Sequence, residues 1–249
     1  MSILDQDYLA TVKEVVPAYL LLIDGLIAGS PDNADLLLAG SKLYGAYTGG
    51  FVDDSERGQR LAERAFGYAK RAICLREKIF CNKLESPFEE FSQGAVKLKP
   101  KSVPFVYGLA SAWTSKIQAN TADWNGIADI PKVELLLERI VKEDPTYDQG
   151  APHMYLGVLN SIRPASLGGK PEQGKIHFDK ALELSQGKNQ MVRVLYAQYY
   201  ARLIFDQELH DQLLNEVLTA NPTEPKLTLM NTLARQRAKK LLDSSKDYF

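Results

Sequence analysis

Apolar residues recur at three- and four-residue spacing through almost the whole chain, and no segment sustains the period-2 alternation of a half-buried strand. A chain patterned this way buries its apolar side chains as helix stripes against other helices, so the expected fold class is all-α. The stretch Asp54–Phe80 opens on a capping Asp54 or Ser55 and sets Leu61, Ala65, Tyr68, Ala69, Ala72 and Cys74 largely along one side. Further helices are expected over Gln6–Ala28, Asn33–Tyr47, Val103–Gln118, Pro131–Lys142, Pro152–Ile162, Glu172–Ser185, Asn189–Phe205, Asp206–Thr219 and Glu224–Leu242. The breaks between them carry turn residues, as in SPDN, EDPTYDQG and NPTEP. Asn82–Lys101, rich in Pro, Gly and Lys, reads as an irregular insertion, and 1–249 as a single helical repeat domain.

Helix-ending prolines stand at Pro31, Pro145 and Pro222, 114 and 77 residues apart. Those gaps are close to three and two units of about 38 residues, slightly longer than a tetratricopeptide repeat. That repeat places small or apolar residues twelve, eight and five positions before its proline, where its two helices touch. Counting back gives Val133, Leu137 and Ile140 from Pro145, and His210, Leu214 and Val217 from Pro222. Gly174, Phe178 and Ala181 repeat the small–aromatic–small spacing, with Gln186 where proline would stand. The expected architecture is a superhelix of antiparallel helix pairs with degenerate tetratricopeptide-like repeats.

Thirty Lys and Arg against 31 Asp and Glu leave a formal charge of −1, so a nucleic-acid or anionic-membrane partner is disfavoured. No stretch reaches the roughly 18 uncharged apolar residues of a spanning helix; the best, VVPAYLLLIDGLIAG, is broken by Pro17, Asp24 and two glycines. The first residues, MSILDQDYLATVKE, show no exported leader, which by itself points to the cytoplasm. On one continuous helix Cys74 and Cys81 would lie about 10.5 Å apart, too far to bridge, so they are expected as packed or free thiols.

Chemical motifs are sparse. Gly169–Ile176 has phosphate-loop spacing, but Ile176 stands where Ser or Thr must reach magnesium, and the segment follows no strand. His153, His177 and His210 form no H-x-x-x-H pair and have no nearby cysteine, so each is expected as a surface or packing residue and no metal site is expected. Asp53–Asp54 reads as a helix cap. No nucleophile elbow or Cys–His pairing is present, so no enzyme activity and no cofactor are expected.

The expected first helices of the pairs, ADLLLAGSKLYGAY, PFVYGLASAWTSKIQ, HMYLGVLNSI and QMVRVLYAQYYARLI, are apolar or aromatic on nearly every side. Such helices are buried all round. Two arrangements satisfy that: a filled core, or a cavity lined by Tyr and Trp, whose polar tips suit a wet wall.

Tyr44–Ile73, YGAYTGGFVDDSERGQRLAERAFGYAKRAI, resembles the first signature of the TatT component family associated with TRAP transporters. Ser166–Asn189, SLGGKPEQGKIHFDKALELSQGKN, followed by VLYAQYYAR from Val194 to Arg202, resembles the second. With EDPTYDQGAPHMYLG between them, the similarity runs from about Pro17 to Leu218. The resemblance implies an all-helical, often lipid-anchored periplasmic protein, although this chain has no leader or lipid-attachment cysteine before its first helix. It implies as partner the periplasmic substrate-binding subunit of a TRAP transporter. It also implies homotrimers and an internal channel for a small hydrophobic or carboxylate ligand. The matching positions are Tyr44, Tyr47, Phe51, Val52, Asp53 and Asp54, then Gly168, Gly169, His177 and Phe178, then Tyr196, Tyr199, Tyr200 and Arg202. On that basis Tyr44, Tyr47, Trp113, Tyr155, Tyr196 and Tyr200 are expected on a ligand wall, with Arg202 facing a carboxylate. The alternative is a generic tetratricopeptide-like scaffold that binds proteins without a ligand channel.

Overall fold

The computed structural model describes residues 3–249. Among them there is no strand, as the periodicity requires, and no helix is long and apolar enough to cross a membrane. The chain packs as two compact units: Lys13–Asp144, and Pro145–Phe249 together with the N-terminal residues up to Val12.

In the Lys13–Asp144 unit, α1 (Leu9–Gly29, its first turn counted with the other unit) is followed by α2 (Ala34–Phe51) and α3 (Ser55–Arg76). The Asn33 side chain accepts from the Leu36 amide at 3.1 Å and Asp54 from Arg57 at 2.6 Å, so both helices begin at the capping residues the sequence offers. The buried side of α3 is nearly all alanine: Ala62, Ala65, Ala69 and Ala72, with Ile73, are fully enclosed. Short side chains there let α2 and α6 (Val103–Ala119) pack against α3 closely. Leu38 of α2 lies directly on the backbone of α6 at Gly108, where a methyl group would collide with it.

Two expectations fail around α3. The helix does not run to Phe80; Glu77 leaves helical backbone (φ −130°, ψ 71°), and its carboxylate accepts from the Ser102 hydroxyl inside the fold. A short α4 (Lys78–Cys81) starts in a new direction, bringing the Cys74 and Cys81 Cα atoms to 4.7 Å, and the two cysteines form a disulfide. The spacing argument against a bridge assumed an unbroken helix. Nor is Asn82–Lys101 wholly irregular. It holds α5 (Phe88–Ala95), whose Phe91 is fully buried, and Arg139 of α8 (Ile130–Glu143) donates to the Val96 carbonyl at 3.0 Å. The remaining short helix, α7 (Trp124–Ala128), is capped by Asp123.

In the other unit, α9 (Ala151–Ser161) pairs with α10 (Pro171–Leu184). The Phe178 ring lies on the backbone of Gly157, where an added methyl would meet it at 2.8 Å. The helix expected over Asn189–Phe205 is instead α11 (Gln190–Leu195) running into a π turn, Tyr196–Ala201. It closes on Phe205 in left-handed backbone (φ 60°), with the Asp206 amide donating back to the Ala201 carbonyl at 2.9 Å. Asp206 then caps α12 (Gln207–Thr219), which packs with α13 (Thr228–Asp243), and α14 (Ser245–Tyr248) ends the chain's helices. Asp5, in a 3₁₀ turn against α13, accepts from the Lys226 amide at 2.7 Å.

Two outcomes follow from this packing. Replacing both cysteines with serine lowers stability by about 2 kcal/mol through the lost loop constraint, read as a lower urea midpoint that wild type reproduces under reductant. Phe178→Ala, which empties a fully enclosed site held by backbone on one side, costs about 3–5 kcal/mol in the same measurement.

Candidate ligand site

The seven residues expected on a ligand wall occupy several separate environments. Tyr44, on α2, is buried, and its hydroxyl donates to Asp24 Oδ2 of α1 at 2.7 Å. Tyr68 of α3 donates to Asp24 Oδ1 at 2.6 Å, and Arg64 donates to Oδ2 at 2.8 Å. One carboxylate therefore joins three helices through two phenols and a guanidinium. Burial, then the Asp24 hydrogen bond, raises the Tyr44 pKa and pushes Tyr68 up to about 12. Tyr47, a turn further on, stacks on Phe51 at 5.9 Å and accepts from Arg57 at 3.2 Å. Trp113 stands between Phe66 and Phe91, at 5.1 and 6.2 Å.

The other four lie in the Pro145–Phe249 unit. Tyr196 and Tyr200 are consecutive on one side of the π turn and meet edge to face at 5.4 Å. Tyr196 stacks flat on Phe178 (4.9 Å, 12°). Burial and the neighbouring Asp179 raise its pKa; burial and Glu172 raise that of Tyr200. Tyr155 is half-buried, and its hydroxyl is pushed up to about 12 by burial and then by Asp148. His153 and Gly157 face α10, so Tyr155, two residues from each, points to the other side of α9. Arg202 donates to Ser244 Oγ (2.9 Å), the Leu241 carbonyl (3.3 Å) and His210 Nε2 (3.2 Å), and lies 4.4 Å over the Tyr248 ring. It completes the end of α13. Tyr196 and Tyr200 are the pair of candidates that ring contact unites.

Sequence reading treated the histidines singly and missed a pair. His153 of α9 and His177 of α10 approach Nδ1 to Nδ1 at 2.9 Å. One ring must carry its hydrogen there while the other offers a lone pair, so the two cannot both be protonated. Burial and then His153 push His177 down to about 4; burial and then the Lys180 charge lower His153. No local spacing encodes this pair, because its members belong to different helices. Asp24 was read only as an interruption of an apolar run, when it is the acceptor on which Tyr44 and Tyr68 converge.

An open cleft of about 590 Å³ lies elsewhere, lined by Ser30–Asp35, Leu75 and Arg76, and none of the seven candidates lines it. Its polar rim includes an Arg76–Asp35 ion pair at 2.7 Å. Among the described residues, no group of three or more His, Cys, Asp and Glu is placed to hold a metal ion.

The profile of a family described as TRAP transporter T-component matches residues 5–249, essentially the whole chain. No curated protein matches the sequence significantly.

The histidine pair sets a pH dependence. In the unfolded chain both rings titrate near 6.5, whereas the folded pair resists protonation down to about pH 4 for His177. The unfolded form therefore takes up protons first, and the stability gained by keeping the pair neutral is full above about pH 6.5 and lost as pH falls toward 4. Urea midpoints at pH 7 and pH 5 will differ in that direction. His177→Gln will reduce the difference, leaving the slope contributed by His153 and by buried His210, whose pKa values are also lowered.

Proposed function

This chain belongs to the T-component family of TRAP transporters, an accessory family of solute transport, and we propose that it works there as a non-enzymatic binding component. Its partner in this reading is the periplasmic substrate-binding subunit of the transporter, and a small hydrophobic or carboxylate ligand is held against the tyrosines of the π turn. The observation that carries the reading is the family match from residue 5 to residue 249.

Several features support the finer parts. The Cys74–Cys81 disulfide suits an oxidising compartment such as the periplasm. A π turn widens a helix where function often needs it, and this one carries Tyr196, Tyr199 and Tyr200. The nine positions expected at tetratricopeptide helix contacts are all buried, His210 completely, and α2 packs with α3, α6 with α8 and α9 with α10, pairings consistent with such repeats. Lipid anchoring and assembly as homotrimers belong to the same reading.

The second reading, a protein-binding scaffold without a ligand channel, is favoured by one observation. Tyr44, Tyr47, Trp113, Tyr196 and Tyr200 are at most 5% exposed and already engaged with neighbouring side chains. The two readings part in one experiment on the purified protein. Mixed with the substrate-binding subunit of a TRAP transporter from the same source, the chain will form a complex in sedimentation; no complex at high concentration overturns the first reading. Native mass spectrometry of the protein as isolated will show a retained small acid or lipid-like molecule that the Tyr196→Phe/Tyr200→Phe variant holds less well. A complex without any retained molecule leaves the scaffold reading standing alone.

A further inference from the structure

Between α5 and α6 the chain exposes Lys97, Lys99 and Lys101, and no Asp or Glu occurs from Phe91 to Ala122. The segment is pinned from beneath. Arg139 of α8 donates to the Val96 and Leu98 carbonyls at 3.0 and 2.5 Å, the Leu98 side chain is buried, and the Ser102 hydroxyl donates to Glu77. Lys99 is in extended backbone (φ −87°, ψ 147°), where successive side chains alternate in direction, so with Leu98 turned inward Lys97 and Lys99 turn outward. Lys101 follows in a 3₁₀ turn (Pro100–Ser102). Exposed Lys78 adjoins Glu77 as Lys101 adjoins Ser102, so the Glu77–Ser102 bond brings the fourth lysine to the same edge of the unit. Among the described residues none of these four side chains makes an ion pair or a hydrogen bond, whereas Lys70, Lys83, Lys116 and Lys132 of the same unit each meet a carboxylate. Nearby acids are already engaged: Asp35 with Arg76, Glu143 with Arg139, and Glu77 with Ser102.

We propose that this lysine edge receives an acidic surface of a protein partner, which in the transporter reading is the substrate-binding subunit; the partner's identity rests on that reading. Lys97 and Lys99, two residues apart in extended chain, are spaced by about 7 Å, inside the screening length of roughly 10 Å. Their charges therefore repel, and carboxylates brought between them relieve that repulsion as well as adding attraction. Charges arranged in this way set which partner is accepted and how fast it docks. Val96 and Ile79, each next to one of the lysines and each 69% exposed, supply apolar contact beside the charges. An anionic bilayer fits less well. Mobile headgroups need no fixed spacing, the chain's formal charge of −1 opposes approach, and Val96 and Ile79 are aliphatic where membrane-lying faces carry Trp, Phe and Leu.

Titration calorimetry of the full chain against the substrate-binding subunit tests it. Wild-type affinity will fall about tenfold as salt rises from about 50 to 200 mM. The Lys97→Glu/Lys99→Glu/Lys101→Glu variant will bind roughly thirtyfold more weakly at the lower salt, and its circular dichroism and urea midpoint will match wild type, since all three side chains are exposed. Reversing three other exposed lysines, Lys13, Lys42 and Lys239, changes the net charge equally and will leave affinity within about threefold of wild type. Carbodiimide, which joins an amine only to a carboxyl group in contact with it, will link Lys97, Lys99 or Lys101 to an Asp or Glu of the subunit. A wild-type complex that the three reversals at this edge leave intact overturns the proposal while upholding the transporter reading. If those reversals instead abolish flotation of the chain with phosphatidylcholine–phosphatidylglycerol vesicles, the edge reads a membrane and the proposal is likewise overturned. No wild-type complex at all overturns the transporter reading, and the proposal with it.

Discussion

In each unit a large apolar side chain rests directly on the backbone of a neighbouring helix: Leu38 on α6 at Gly108, and Phe178 on α9 at Gly157. Helices satisfy their own backbone polar groups, so all the specificity of their association comes from side-chain shape along the contact. A glycine at the crossing lowers the separation and converts loose apolar contact into enclosed packing. The alanine side of α3 does the same over about three turns, giving α2 and α6 a common, close-fitting support.

Close packing of that kind leaves little room for water, and the tyrosines show the consequence. A buried phenol needs a partner for its hydroxyl, and Asp24 serves two of them while taking a third bond from Arg64. Helices tipped with phenol hydroxyls therefore need not enclose an aqueous channel. They can be joined internally by carboxylates, and in the Lys13–Asp144 unit Tyr44 and Tyr68 are.

Much of the fold was legible because its signals are local. Asn33, Asp54 and Asp206 cap helices within three residues of themselves, and the positions counted back from Pro145 and Pro222 are buried. The errors share one cause. An unbroken helix through Glu77 was assumed because nothing in REKIF interrupts the pattern, yet Ser102, 25 residues later, receives the Glu77 carboxylate where the chain turns. The disulfide follows from that turn. The histidine pair joins residues 24 apart, and Asp24 meets phenols 20 and 44 residues away.

The order of residues alone determined that this chain is helical, roughly where most of the long helices start, and which positions of a few of them are buried. Those properties depend on hydrogen bonds and caps that close within a turn and on a period repeated along one segment. Tertiary structure alone decided which carboxylate each phenol meets, which histidines face each other, that two cysteines join, and that Lys78 comes to the same edge as Lys101. Each of these depends on the distance between segments far apart in the chain, and that distance is set by the packing of helix on helix.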